Sequence, residues 1–195
     1  AATIKAMNLS IGVVCIDPWT GVAEMWAARK GFKLVHGAHP LAENALKMDV
    51  FGTSRIYETF LANVRAAGHQ DIVMPLRMSS ISGLRLLRQL RFESRMSELP
   101  GIIYLDSAHE EDETLLEIRV AWNTLAAPGV LFGDDWSRTA VRNDVVAFVR
   151  SQELPRLSPE ELRRCDTPSS SATQPVPGVA LLPEADGTWI LWKKS

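Results

Sequence analysis

Two short apolar runs in this chain each end in acid. Ile102-Ile103-Tyr104-Leu105 leads into Asp106-Ser107-Ala108-His109, and Gly129-Val130-Leu131-Phe132-Gly133 leads into Asp134-Asp135-Trp136. In an open α/β sheet, ligands gather outside the carboxyl ends of the strands, so acids just past two buried strands are expected to face one cleft. Three carboxylates converging there repel one another unless a cation sits between them. Oxygen ligands of this kind suit Mg²⁺, Mn²⁺ or Ca²⁺ better than a thiophilic metal. His109 follows Asp106 closely enough to serve as a general base in the same cleft. Each acid also has a plainer use, Asp106 as a helix cap and Asp134-Asp135 as a solvated turn. Their equivalent places after successive strands, 134 − 106 = 28 positions apart, favour the metal site.

Other residues have two uses each. Asp17 ends the Val13-Val14-Cys15-Ile16 run, where an acid hydrogen-bonds ribose hydroxyls in nucleoside-binding folds, and where an Asp before Pro18 also makes a turn. Ser79 and Ser80 follow a strand and fit either a nucleobase contact or helix caps. Trp19, Trp26, Trp122 and Trp136 read as packing residues, with Trp19 and Trp136 placed to border a ligand. Arg85, Arg88, Arg91 and Arg95 recur at helical spacing among leucines and read as a solvated helix face.

The elements that must position these groups alternate along the chain. Thr3 to Asn8 looks like a helix tail, and Val13 to Ile16 is a strand stopped by Pro18. Ala23 to Lys33 gives a mixed signal, and Gly37 to Pro40 is loop-like. Tyr57, Phe60, Leu61 and Val64 show helical spacing closed by Gly68, and Asp71 to Leu76 reads as a strand. Ser82 to Met96 is a helix by its leucines. Glu113 to Leu125 is an amphipathic helix with Leu116, Ile118 and Val120 inward and Glu110, Glu111, Asp112 and Glu113 near its positive end. A further helix is expected from Ala140 to Arg150. Residues 158–178, rich in Ser and Pro, read as a surface loop or insertion. The end reads as a hairpin of Val179-Ala180-Leu181-Leu182 and Thr188 to Trp192 around Asp186-Gly187. Strand–helix alternation followed by a hairpin predicts an α/β fold, a mostly parallel sheet with an antiparallel edge.

With 195 residues, 46% of them hydrophobic, the chain is expected to form a single domain. A net charge of −2 gives no electrostatic case for nucleic acid or an anionic membrane as partner. Cys15 and Cys165 form no disulfide framework or zinc motif, which fits a reducing compartment, cytoplasmic or an organelle interior. No apolar run approaches the roughly 20 residues of a membrane span, so the chain reads as soluble. A start at Ala1-Ala2-Thr3 leaves room for an upstream segment, including any targeting sequence.

The stretch Ile102 to Trp136, with Ile-Ile-Tyr-Leu-Asp-Ser-Ala-His, a helix containing Ala121-Trp122, and Pro-Gly-Val-Leu-Phe-Gly-Asp-Asp-Trp, resembles class I S-adenosylmethionine-dependent methyltransferases. It is most similar to the metal-dependent O-methyltransferases that include the cephalosporin hydroxylase and macrolide sugar methyltransferase branch. The resemblance implies a Rossmann-like sheet, S-adenosylmethionine and Mg²⁺ or another hard divalent cation as cofactors, and a small hydroxylated substrate. It implies Asp106, Asp134 and Asp135 as metal ligands and His109 as base. Asp17 corresponds to the acid gripping the cofactor ribose, with Ser79 and Ser80 on the adenine side. Two departures accompany it. No glycine-rich loop precedes Val13, and Arg77-Met78-Ser79-Ser80 stands where relatives often place an acid. The family's first strand lies between the counterparts of Val13–Ile16 and Ile102–Leu105, so those two strands are expected not to pair. An upstream segment or a partner chain is expected to fill the slot. The alternative reading is a non-catalytic, methyltransferase-like docking subunit of a larger assembly.

Overall fold

A computed structural model describes residues 1–21, 54–106, 109–151, 179–182 and 187–194. They divide into two compact units, Ala1–Ser79 and Ser80–Ser195, each with its own sheet.

The first unit holds α1 (Ala2–Ala6), β1 (Val13–Asp17), α2 (Ile56–Ala66) and β2 (Val73–Arg77). β1 pairs in parallel with β2, from Val13 opposite Val73 to Asp17 opposite Arg77. Parallel neighbours need a crossover, and α2 lies within it. As its sequence predicts, α2 is closed by Gly68, whose φ of 66° suits a residue without a Cβ. The Gly68 N–H donates to the Arg65 carbonyl and the His69 N–H to the Val64 carbonyl, both at 2.9 Å, the paired bonds of a Schellman ending. Trp19 is buried against Tyr57 and Phe60, with ring centroids 4.9 and 5.0 Å away, so it packs as expected. Lys5 joins α1 to the turn before β2. Its ammonium donates to the Gly68 carbonyl and pairs with Asp71 at 2.9 Å, and that hydrogen bond holds the Asp71 carboxyl below its ordinary range.

The second unit holds α3 (Ser80–Phe92), β3 (Ile102–Leu105), α4 (Glu113–Thr124), β4 (Gly129–Gly133), α5 (Thr139–Ser151), β5 (Ala180–Leu182) and β6 (Thr188–Lys193). Its strand order is β3-β4-β6-β5. β3 and β4 are parallel, β6 runs antiparallel to β4, and β5 antiparallel to β6. The fold is thus α/β, with parallel pairs joined through helices and an antiparallel C-terminal edge. Ile118, Leu125, Leu131, Val145, Phe148, Trp189 and Leu191 form its fully buried core.

Three local expectations need correction. α4 turns Thr114, Glu117, Ile118, Ala121 and Thr124 inward, while Leu116 is 48% exposed and Val120 half-buried. Apart from Ile118 the buried stripe is built from small and polar residues, and α4 packs against helices on both sides, α3 and α5. The continuous apolar run of β3 suggests a strand buried on both faces. In the described residues only Ile103 and Leu105 are buried, and Ile102 and Tyr104 stand 69% and 49% exposed. α3 begins at Ser80 and stops at Phe92, short of Met96, with Ser94 in the left-handed region.

The expectations for Ala23 to Lys33, Gly37 to Pro40, 158–178, Trp26, Cys165 and the turn residue Asp186 lie outside the described residues. No helix among the described residues is long and apolar enough to cross a membrane.

Candidate metal centre

The site forms where β3 and β4 end together. Leu105 is the register partner of Gly133, so Asp106 and Asp134 leave neighbouring strands at the same level. Gly133 is required there by close approach: a Cβ would lie 2.7 Å from both the Leu105 carbonyl oxygen and Cε2 of the Trp189 indole. The same indole donates from Nε1 to the Asp134 carbonyl at 3.0 Å and ties the β4 exit to the antiparallel edge.

The two acids after Gly133 then part. Asp134 Oδ2 accepts the Tyr104 hydroxyl at 3.0 Å. Asp135 has φ 56°, a left-handed conformation that Asp tolerates better than most residues. Its Oδ2 lies 2.5 Å from His109 Nε2, and its Oδ1 accepts Arg138 Nε at 3.1 Å. One oxygen each of Asp106 and Asp135 and one ring nitrogen of His109 all lie within 4.8 Å of one another. Of the four residues that the sequence pointed to here, the structure therefore brings together Asp106, His109 and Asp135, while the Asp134 carboxylate is engaged by Tyr104.

This donor set fits a divalent cation. Atoms on opposite sides of a hard cation are about 4–5 Å apart, which matches the span of the group. His109 Nε2 is buried and makes no directed hydrogen bond, although Asp135 is beside it. At 2.5 Å the imidazole nitrogen stands against Asp135 as a paired group, and the carboxylates of Asp106 and Asp135 are the hard oxygen donors of the set, which suit Mg²⁺ or Mn²⁺. Beside the group lies a small pocket whose walls include His109, Thr114, Asp134, Asp135 and Trp189.

Tyr104 is a site residue that sequence reasoning did not single out, because on a strand it reads as one more apolar position. Desolvation, the bond to Asp134 and the charges of Asp106, Asp134 and Asp135 together push its ionisation well above the ordinary phenol range.

The residues expected to face a nucleoside have local partners. Asp17 Oδ1 accepts the backbone N–H of Trp19, so the carboxylate braces the turn at Pro18. Ser79 directly precedes α3. The Ser80 hydroxyl donates to Glu117, only 7% exposed on α4, and this bond gives a buried polar side chain a partner between two helices. Asp17 and Ser79 belong to the first unit, and Ser80 and the metal group to the second.

No protein-family model matches the chain, and no curated protein matches it in sequence. Among the solved structures that are similar to it are two at low sequence identity. One is described as a "putative O-methyltransferase" from Klebsiella pneumoniae, 15% identical with a TM-score of 0.46, the match covering 100% of this chain and 78% of that one. The other is a protein from Corynebacterium glutamicum, 16% identical with a TM-score of 0.45, the match covering 97% of this chain and 63% of that one.

Proposed function

We propose that this chain forms the cation-binding part of an S-adenosylmethionine-dependent O-methyltransferase acting on a small hydroxylated molecule. The observation that carries the reading is the convergence of Asp106, His109 and Asp135 at the joint carboxyl ends of β3 and β4. A divalent cation such as Mg²⁺ bound there supplies Lewis acidity that lowers the pKa of an acceptor hydroxyl. Asp106 and Asp135 are its carboxylate holders, and Arg138 keeps the Asp135 carboxylate from rotating. His109 stands beside these carboxylates as the general base for the hydroxyl proton, and Asp135, 2.5 Å from its Nε2, orients the imidazole. Asp17, with Ser79 and Ser80, is assigned to the cofactor on the strength of the sequence resemblance.

The test is a pair of measurements on wild type and Asp106→Asn/Asp135→Asn: calorimetric titration with Mg²⁺ and Mn²⁺, and transfer of labelled methyl from S-adenosylmethionine to a panel of diols. Cation binding and transfer that both disappear in the double variant support the reading. Undiminished transfer in the double variant overturns it.

A second reading, a non-catalytic methyltransferase-like docking subunit, is favoured by the exposure of Ile102 and Tyr104 on β3. It predicts cation binding without methyl transfer to any acceptor.

A further inference from the structure

Helix α4 starts without a cap of its own. Asp112 occupies the N-cap position with φ 67° and ψ −12°, and its side chain bonds no backbone amide. The free amides of the first turn are met from another helix. Asp144, on α5 and only 3% exposed, accepts the Asp112 N–H through Oδ1 at 3.3 Å and the Leu115 N–H through Oδ2 at 3.0 Å. Leu115 is the third helical residue, whose amide an N-cap side chain ordinarily takes. The capping carboxylate has thus moved from the adjoining residue to one 32 positions away, where its charge also meets the positive end of the helix.

The two pieces joined in this way carry the metal group. His109 lies just before the α4 start. Asp135 lies just before the α5 start and is tied to it by Arg138, whose N–H donates to the Asp135 carbonyl at 2.9 Å and whose Nε donates to Oδ1 at 3.1 Å. At its other end α4 is held by Lys193, whose ammonium donates to the carbonyls of Trp122 and Leu125 at 2.8 and 2.7 Å. Nondirectional side-chain packing of α4 on α5 resists separation more than sliding. Two directional bonds to a buried carboxylate resist sliding as well.

We propose that Asp144 is a positioning residue for the Asp106–His109–Asp135 group, locking the His109-bearing turn against the helix that follows Asp135. As a statement about cation binding it rests on the metal reading above.

Asp144→Asn keeps the size and one acceptor but turns an NH₂ toward the second amide. In this variant the Mn²⁺ dissociation constant, read from the electron paramagnetic resonance of free ion, is expected to rise about 10- to 100-fold. The nuclear Overhauser contact between the His109 ring and the Asp135 β-protons of metal-free protein is expected to vanish. Val145→Ala, at a fully buried neighbour on α5, lowers stability by cavity formation and is expected to leave both readouts unchanged. Wild-type affinity together with a retained contact in Asp144→Asn overturns the proposal, as does an equal loss in Val145→Ala. If the wild type binds no Mn²⁺, the metal reading fails, and the His109–Asp135 contact alone decides the role of Asp144. If Asp144→Asn does not fold, Asp144→Ser, too short to span both amides, is measured in the same way.

Discussion

His109 Nε2 and Asp135 Oδ2 lie 2.5 Å apart, although one residue follows β3 and the other follows β4. Neither is placed by its own sequence neighbours alone. The parallel register of Leu105 with Gly133 brings the two strand exits side by side, and the left-handed Asp135 turns its carboxylate toward the imidazole.

Removing the imidazole tests its part in proton transfer. His109→Ala is expected to lower turnover by roughly 10² to 10⁴, leaving S-adenosylmethionine affinity and thermal midpoint nearly unchanged. Turnover at saturating acceptor across a pH series is the measurement, and a wild-type profile would remove His109 from the mechanism.

The three acids should not be equivalent. Asp106→Asn and Asp135→Asn are each expected to weaken Mg²⁺ or Mn²⁺ binding by about tenfold or more. Asp134→Asn should weaken it less, because Tyr104 already engages the Asp134 carboxylate. Calorimetric titration of the three single variants decides the order, and an equal loss at Asp134 would add it to the ligand set.

Tyr104 and Tyr57 are the two tyrosines of the chain, and Tyr104 has its ionisation pushed upward. Above a pH of about 10 an unfolded tyrosine loses its proton while folded Tyr104 keeps it, so the folded state binds more protons there. The contribution is fully present below that pH and is lost as pH rises through the raised value. The tyrosinate absorbance of the folded protein should therefore include a late step, above the ordinary phenol range, from Tyr104. Asp134→Asn should bring that step down; an unmoved step would mean that burial and the charges of Asp106 and Asp135 suffice to raise it.

Gly133→Ala tests the close packing that sets the β4 exit. A methyl group there meets the Trp189 indole and the Leu105 carbonyl, and overpacking of this kind costs about 1–3 kcal/mol. The denaturation midpoint is expected to fall, and cation affinity with it, because Asp134 and Asp135 follow directly. A variant as stable as wild type would show that the indole has room to move.

Much of the frame is legible without coordinates. Apolar runs ended by acid mark β3 and β4 to the residue, Gly68 marks the end of α2, and Thr188 to Trp192 marks the last strand, because these signals depend on neighbours along the chain. The inward face of α4 is not legible in this way. Leu116 and Val120 are more apolar than Thr114 and Glu117, but the side that meets α3 and α5 belongs to the latter.

The sequence alone determined that Asp106, His109, Asp134 and Asp135 stand at strand exits in an α/β chain, since residue type and local periodicity suffice for that. Only the tertiary structure decided which of them converge. That choice follows from the Tyr104 bond to Asp134, the backbone turn at Asp135 and the capping of α4 by Asp144. Each depends on contacts between residues far apart in the chain or on a backbone angle held by them, and neither composition nor spacing records such contacts.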